Sequence, residues 1–197
     1  MSDFFPDPPD VPEEVEVERP QPEWLGPPSD ALPGVVPVEL ILGRSEKAVV
    51  MLTGWRAFAQ GLAMTLSVRT RALPRSVNLQ EEVFDGPYRH DQDQTWRRDR
   101  LKWGFEYADG RRATNIGPWP DLDGDDQTPD RPVLIGGGGG GGDRSTDRYY
   151  WLWPLPPGGK LTIVCEWRQV GIETTTTVID ADPVVAAAAR SQEVWRS

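Results

Sequence analysis

Cysteine and histidine are almost missing from this chain: its 197 residues include one of each, Cys165 and His90. One thiol closes no disulfide within the chain, and one thiol with one imidazole falls short of the four nitrogen and sulfur ligands of a structural zinc site. Zinc fingers, CxxC redox motifs and iron–sulfur centres are thereby excluded. Any Ser-His-acid or Cys-His machinery would have to use His90. That residue sits in the polar stretch Tyr88-Arg89-His90-Asp91 with no motif-bound nucleophile, and reads as a solvated histidine. Lysine is scarce as well, with Lys47, Lys102 and Lys160 the only three among 21 basic residues. The rest are arginine, a usage that high genomic G+C favours. No stretch approaches the roughly 18 apolar residues of a membrane helix, and the opening MSDFFPDPPD has neither the basic nor the apolar region of a secretory signal. The expectation is a cytoplasmic protein that meets no membrane.

Negative charge is concentrated at one end. Residues 1–33 hold nine acids and one base, so −8 of the total −10 lies there, and the other 164 residues are nearly balanced. An acidic end on a balanced body lacks the concentrated cationic face that displaces phosphate counterions, which argues against nucleic-acid binding. The same 33 residues carry nine prolines and, apart from Phe4, Phe5, Trp24 and Leu25, little to bury. Such a composition does not offset its ordering entropy, so residues 1–33 read as a disordered acidic proline-rich arm. The plain reading is a solubilising tail; the competing one is a docking arm anchored through Phe4-Phe5 or Trp24-Leu25, the latter the better anchor, on a partner or on the chain's own body.

From residue 34 the pattern is that of strands. Val36, Val38, Leu40 and Leu42 recur at period two, and Leu62, Met64, Leu66 and Val68 do so beyond the turn Gln60-Gly61, which predicts a hairpin over about 49–69. Residues 72–99 are polar, with room for a further short element. Leu101, Trp103, Phe105 and Tyr107 alternate up to Asp109-Gly110, a turn pair before a return strand. Four prolines and five aspartates make 117–132 a loop. Val133-Leu134-Ile135 begins a strand that runs into seven glycines, Gly136 to Gly142. The aromatic run Tyr149 to Trp153 and the run Leu161 to Trp167 flank the turn Pro154–Gly159 and read as a hairpin. Ile172 to Ile179 adds one more strand. Asp182-Pro183 supplies a cap and first-turn proline for a helix to about Trp195. The fold class predicted is therefore mainly β: an antiparallel β-sandwich, immunoglobulin-like by spacing, over 34–180, followed by a C-terminal helix within 181–197.

Trp24-Leu25-Gly26-Pro27-Pro28, Leu32-Pro33-Gly34-Val35-Val36-Pro37, the glycine run, Tyr150-Trp151-Leu152-Trp153-Pro154-Leu155-Pro156-Pro157 and Val164-Cys165-Glu166-Trp167 resemble an uncharacterised actinobacterial protein group of about this length. The resemblance spans most of the chain and implies a cytosolic bacterial protein. It implies no activity, cofactor or partner.

Three features stand as candidate sites. Asp121, Asp123 and Asp125 alternate around Gly124 as oxygen ligands of a calcium loop do, but the glycine stands at the fourth position and no bidentate glutamate follows, so a solvated acidic turn is the competing reading. The glycine run is followed by Asp143-Arg144 rather than by the Lys-Ser/Thr and helix of a phosphate loop; its glycines serve either close backbone approach or a flexible loop. Tyr149, Trp151 and Trp153 share one face of a strand, either as core or as an outward stacking platform. Trp55, Trp103, Trp167 and Trp195 read as core, with Cys165 a small buried hydrophobe beside Ile163 and Trp167. Trp119, between two prolines, reads as exposed.

Together these features predict a non-catalytic interaction or structural module. It would need no cofactor and would bind a protein partner, or another copy of itself, through an aromatic and arginine surface and the acidic arm. Trp24, Trp119, Tyr149, Trp151 and Trp153 are the candidate binding residues. The alternative is a carbohydrate- or small-ligand-binding domain using the tryptophan platform and the acidic loop as a calcium site.

Overall fold

The computed structural model describes residues 21–75, 77–84, 99–117 and 128–195. The described chain is mainly β. In order, its strands are β1 (Ala31–Leu32), β2 (Gly34–Val35), β3 (Leu40–Arg44), β4 (Ala48–Ala57), β5 (Leu62–Thr70), β6 (Lys102–Glu106), β7 (Arg112–Thr114), β8 (Val133–Gly142), β9 (Ser145–Trp153), β10 (Lys160–Trp167), β11 (Ile172–Asp180) and β12 (Gln192–Glu193). Two short helices are α1 (Leu79–Phe84) and α2 (Asp182–Ala188). A large six-stranded sheet runs β2-β4-β5-β9-β8, with β3 also paired to β4; a small sheet runs β11-β10-β6-β7. Every pairing is antiparallel.

Alternation explains the inward faces. Ala48, Val50 and Leu52 of β4 point to the core. The register of β4 on β5 then shifts between Thr53 and Arg56, where Gly54 takes φ +61°, so that Trp55 and Ala57 also face inward. The extra residue of this bulge keeps a long strand in phase with the core, and glycine tolerates the left-handed backbone it needs. Leu62, Met64, Leu66 and Val68 face the same way from β5, and Leu161, Ile163, Cys165 and Trp167 from β10; all eight are at most 1% exposed. Both sheets contribute to one apolar cluster. Trp55 of the large sheet meets Phe105 of the small one edge-on, with ring centroids 6.2 Å apart, and Trp103 meets Tyr150 at 4.7 Å. Edge-to-face pairs of this kind add to the stability that burial confers.

Several expectations change. The runs flanking Pro154–Gly159 do not form a hairpin: β9 pairs with β5 and β8 in the large sheet, whereas β10 pairs with β6 and β11 in the small one. The turn is a crossover held at both ends, for the Tyr107 hydroxyl donates to the Pro154 carbonyl at 2.6 Å and the Gly159 N–H donates to Asp182 Oδ1 at 2.8 Å. Asp182 is thus spent on the turn rather than on capping; Ala181 precedes α2 and gives it no side-chain cap. The helix also stops at Ala188, because the chain turns back to pair β12 with β1. Trp195 is 76% exposed instead of lying in the core. Of the two readings left open for the glycine run, close backbone approach holds: β8 extends to Gly142 against β9.

The proline-rich arm does not continue to residue 33 as an unpaired segment. Trp24, Leu25 and Ala31 pack on the outer face of the large sheet, Trp24 at 6% exposure, and Ala31–Leu32 pairs with β12. The earlier part of the arm, residues 1–20, lies outside the described residues.

Candidate functional site

The large sheet has two occupied faces. On the inner one, Tyr150 and Leu152 of β9 join the main core at 4% and 0% exposure. Of the two readings left open for the face shared by Tyr149, Trp151 and Trp153, neither holds as a whole, because that face is turned away from the main core and is yet partly buried. Trp151 is buried on the other face, in a second cluster with Trp24, Phe58, Ala63, Val133 and Ile135, with Leu25, Ala31 and Trp153 packed at its margin. Phe58 meets the Trp151 ring edge-on at 5.6 Å, and the Trp151 indole N–H donates to the Glu23 carbonyl at 3.0 Å. The aromatic run has enough apolar side chain on both faces to need a lid on each. Trp24 and its neighbours provide the outer one.

The lid covers only one end. In register, Trp151 lies beside Ala63, Tyr149 beside Thr65, Asp147 beside Ser67 and Ser145 beside Arg69. Past Trp151 the face opens. Tyr149 is 55% exposed, and a concavity of about 750 Å³ beside it is lined by Val35, Pro37, Val38, Gly54, Arg56 and Thr65, among others. Further along, Arg69 makes a two-point pair with Asp147, at 2.8 and 3.2 Å. The Asp147 carboxyl is held below its usual range chiefly by hydrogen bonding from Arg69, which outweighs the opposing effect of burial, with lesser help from Ser67 and the charge of Arg69. The face offers an aromatic ring, an apolar hollow and a fixed ion pair.

The side chains whose proton affinity moves most are packed inside. Burial raises the Tyr107 phenol and pushes the Cys165 thiol up to about 12, with the Glu166 carboxylate adding to the second. Burial also raises Glu82, whose carboxylate accepts the Leu101 N–H at 3.0 Å. These groups hold the fold. Cys165, at 1% exposure, sits between Ile163 and Trp167 on the inward side of β10, as its alternation indicated.

A second concavity, about 350 Å³, lies on the small sheet, floored by Gly104 and flanked by Val164 and Ile116. Its sides carry the ion pairs Lys102–Glu166 and Arg112–Glu106. Thr174 and Lys102 together hold the Glu166 carboxyl below its ordinary range, Lys102 first.

Of the residues singled out from the sequence, Tyr149, Trp151 and Trp153 do share a face, and Trp24 joins them there. Only Tyr149 is open; Trp153 is half-buried. Trp119 and the calcium candidates Asp121, Asp123 and Asp125 lie outside the described residues, as does His90. Among the described residues, no group of three or more His, Cys, Asp or Glu side chains could hold a metal ion. No helix among them is long and apolar enough to cross a membrane.

Arg148 escaped the sequence reading. It points inward in phase with Tyr150 and Leu152, and an arginine in that phase of an aromatic strand is the signal that was available. Its guanidinium donates to Val83 O at 2.7 Å and Phe84 O at 3.0 Å, closing the C-terminal end of α1, and to Gly136 O and Gly137 O at 3.2 Å each. It lies 5.3 Å from the Phe84 ring centroid and 5.1 Å from that of Tyr150. A cation here satisfies orphan helix carbonyls and stacks on two rings.

Comparison of the chain with known families, with curated proteins and with solved structures finds no match.

Proposed function

We propose that the protein is a non-catalytic interaction module, its two sheets packed as a β-sandwich related in architecture to immunoglobulin-like domains, which binds a protein partner or a second copy through the outer face of the large sheet around Tyr149. One observation carries this reading: the arm shields Trp151 and leaves an exposed tyrosine, an apolar hollow and the arginines Arg56 and Arg69 on the same face. Tyrosine and arginine beside an apolar hollow are favoured anchors of protein interfaces. The groups with strongly shifted proton affinity support the reading too, since Tyr107, Cys165 and Glu82 lie in the packed interior rather than in this hollow.

The test is site-specific photocrosslinking in the source cells, with a photoreactive phenylalanine at position 149 and a control at Val178, which is exposed on the other sheet. One protein, or the chain itself, captured at 149 and not at 178, and lost when Val35→Asp is added, supports the proposal. Equal labelling at both positions overturns it. The Arg69–Asp147 pair beside the Tyr149 ring is also an arrangement that can stack and hydrogen-bond a sugar ring. Glycan-array binding lost in Tyr149→Ala, with no protein captured, would favour the ligand-binding alternative.

A further inference from the structure

The end of the large sheet opposite Trp24 is basic. The β3–β4 turn is fixed there by Ser45, whose hydroxyl accepts the N–H groups of Lys47 and Ala48, and the Arg71 N–H donates to the Lys47 carbonyl at 2.7 Å. This brings Arg44, Lys47, Arg69 and Arg71 around a concavity of about 360 Å³ in which Glu46 is the one acid. Arg69 is paired with Asp147, but Arg44, Lys47 and Arg71 are exposed and enter none of the ion pairs among the described residues. Three cations outside any ion pair against the single acid Glu46 leave this concavity positive on a chain of net charge −10, and so mark a place for an anion. Between them and Trp24 runs the uncovered strip of the same face, with Tyr149 55% and Ile41 46% exposed and Met51 and Thr65 half-buried.

We infer that the occupant of this strip and its basic end is the chain's own acidic segment, residues 1–20, docked in cis. Three observations select that occupant. The first is charge: residues 1–20 hold seven acids (Asp3, Asp7, Asp10, Glu13, Glu14, Glu16, Glu18) and one base, Arg19. The second is continuity, because the described chain starts at Gln21, already on this face through Trp24. The third is reach. From Trp151 to Ser145 is six residues of β9, roughly 20 Å at strand rise, whereas a 20-residue proline-rich segment spans about 60 Å in polyproline II geometry. Tethering places the acids at a high effective concentration, on the order of millimolar, so modest attraction suffices. Phe4-Phe5 supplies an apolar end for the strip. The arm then competes in cis with any ligand for the strip, so binding at Tyr149 responds to salt and to acidic competitors. The inference shares the face of the proposed partner surface but needs no partner, and its failure would leave the crosslinking result at position 149 unaffected.

The test uses the full chain carrying Ser2→Cys with a nitroxide label, the buried Cys165 being inaccessible to the reagent. In low salt, the amide signals of Ile41, Arg44, Lys47 and Arg71 should lose at least half their intensity. They should recover in roughly 0.5 M salt, where screening shortens to a few ångströms, and in the Arg44→Glu/Lys47→Glu/Arg71→Glu variant. If that variant folds poorly, Glu13→Gln/Glu14→Gln/Glu16→Gln/Glu18→Gln tests the same attraction from the arm. Losses spread evenly over the surface, or unchanged by both sets of substitutions, would overturn the inference. So would losses induced by a labelled copy mixed with an unlabelled isotope-enriched one, which would make a second molecule the occupant.

Discussion

The indole N–H of Trp151 donates to the main-chain carbonyl of Glu23 at 3.0 Å, across 128 residues of sequence. This bond fastens the start of the described chain to the centre of the large sheet, beside the buried ring of Trp24. A segment whose composition reads as solvent-loving is therefore part of the fold from Gln21 onward, and the outer sheet face is divided into a covered and an open half.

Trp151→Ala should cost about 3–5 kcal/mol in denaturant unfolding, since it removes a buried indole and leaves a cavity. Trp24→Ala should also destabilise, by at least ~2 kcal/mol. The two occupy one cluster, so the double variant should lose less than the sum of the single losses. Tyr150→Ala, on the other face of β9 against Trp103, should be as damaging as Trp151→Ala. A mild Tyr150 variant would show that the inward phase of β9 has been misassigned.

The glycine run should respond to alanine with a period of two. A Cβ at Gly139 or Gly141 would lie 2.2 or 2.1 Å from the carbonyl oxygens of Asp147 and Ser145, whereas Gly138, Gly140 and Gly142 have nothing within 4 Å. Alanine at 139 or 141 should lower the melting temperature sharply. At 138, 140 or 142 it should be neutral, or stabilise by up to about 1 kcal/mol by restricting the unfolded chain. Equal effects at all five positions would contradict the observed register.

Arg148→Lys should not rescue Arg148→Ala. A single ammonium lacks the planar fork that reaches the carbonyls of both α1 and the Gly136–Gly137 bulge, and does not stack between Phe84 and Tyr150. Both variants should destabilise, by roughly 1–2 kcal/mol, through part-buried carbonyls left without a donor. Hydrogen exchange should locate the loss at α1 and β8. A lysine variant with unchanged protection there would remove the argument for guanidinium geometry.

Glu82 gives a pH dependence of defined sign. Burial, only partly opposed by the Leu101 N–H and Arg100 and aided by Glu81, raises its folded carboxyl above the ordinary value of 4.5. The folded state then binds more protons than the unfolded one in the window above that value, so this residue's contribution is present at low pH and is lost as pH rises through the raised value. Glu82→Gln stays neutral and keeps an acceptor for Leu101. Its stability relative to the parent should grow between pH 4.5 and 8, read by urea unfolding. Parallel curves for the two proteins would show that the carboxyl ionises normally.

Cys165 should be silent to a thiol reagent at pH 8 in the native protein and react once the chain is unfolded, because burial pushes its thiol up to about 12 and its exposure is 1%. Native labelling at the unfolded rate would mean that β10 opens readily.

Much of the β architecture was legible in single strands. Leu62 to Val68, Trp103 to Tyr107 and Leu161 to Trp167 each declare a buried face through their own alternation, and Asp109-Gly110 declares its turn, because those choices are made by neighbours in sequence. Alternation fixes which side chains share a face, but which face turns inward depends on what lies opposite. That is why Tyr149, Trp151 and Trp153 were correctly grouped while the side they occupy was decided by Trp24, more than a hundred residues away. The same limit applies to the turn Pro154–Gly159: its residues specify a reversal, and only the competing partners β5 and β6 decide that the strands on either side enter different sheets. The glycine run carried no side-chain pattern at all, so its extended pairing, and the nest it makes for Arg148, came entirely from the strand beside it.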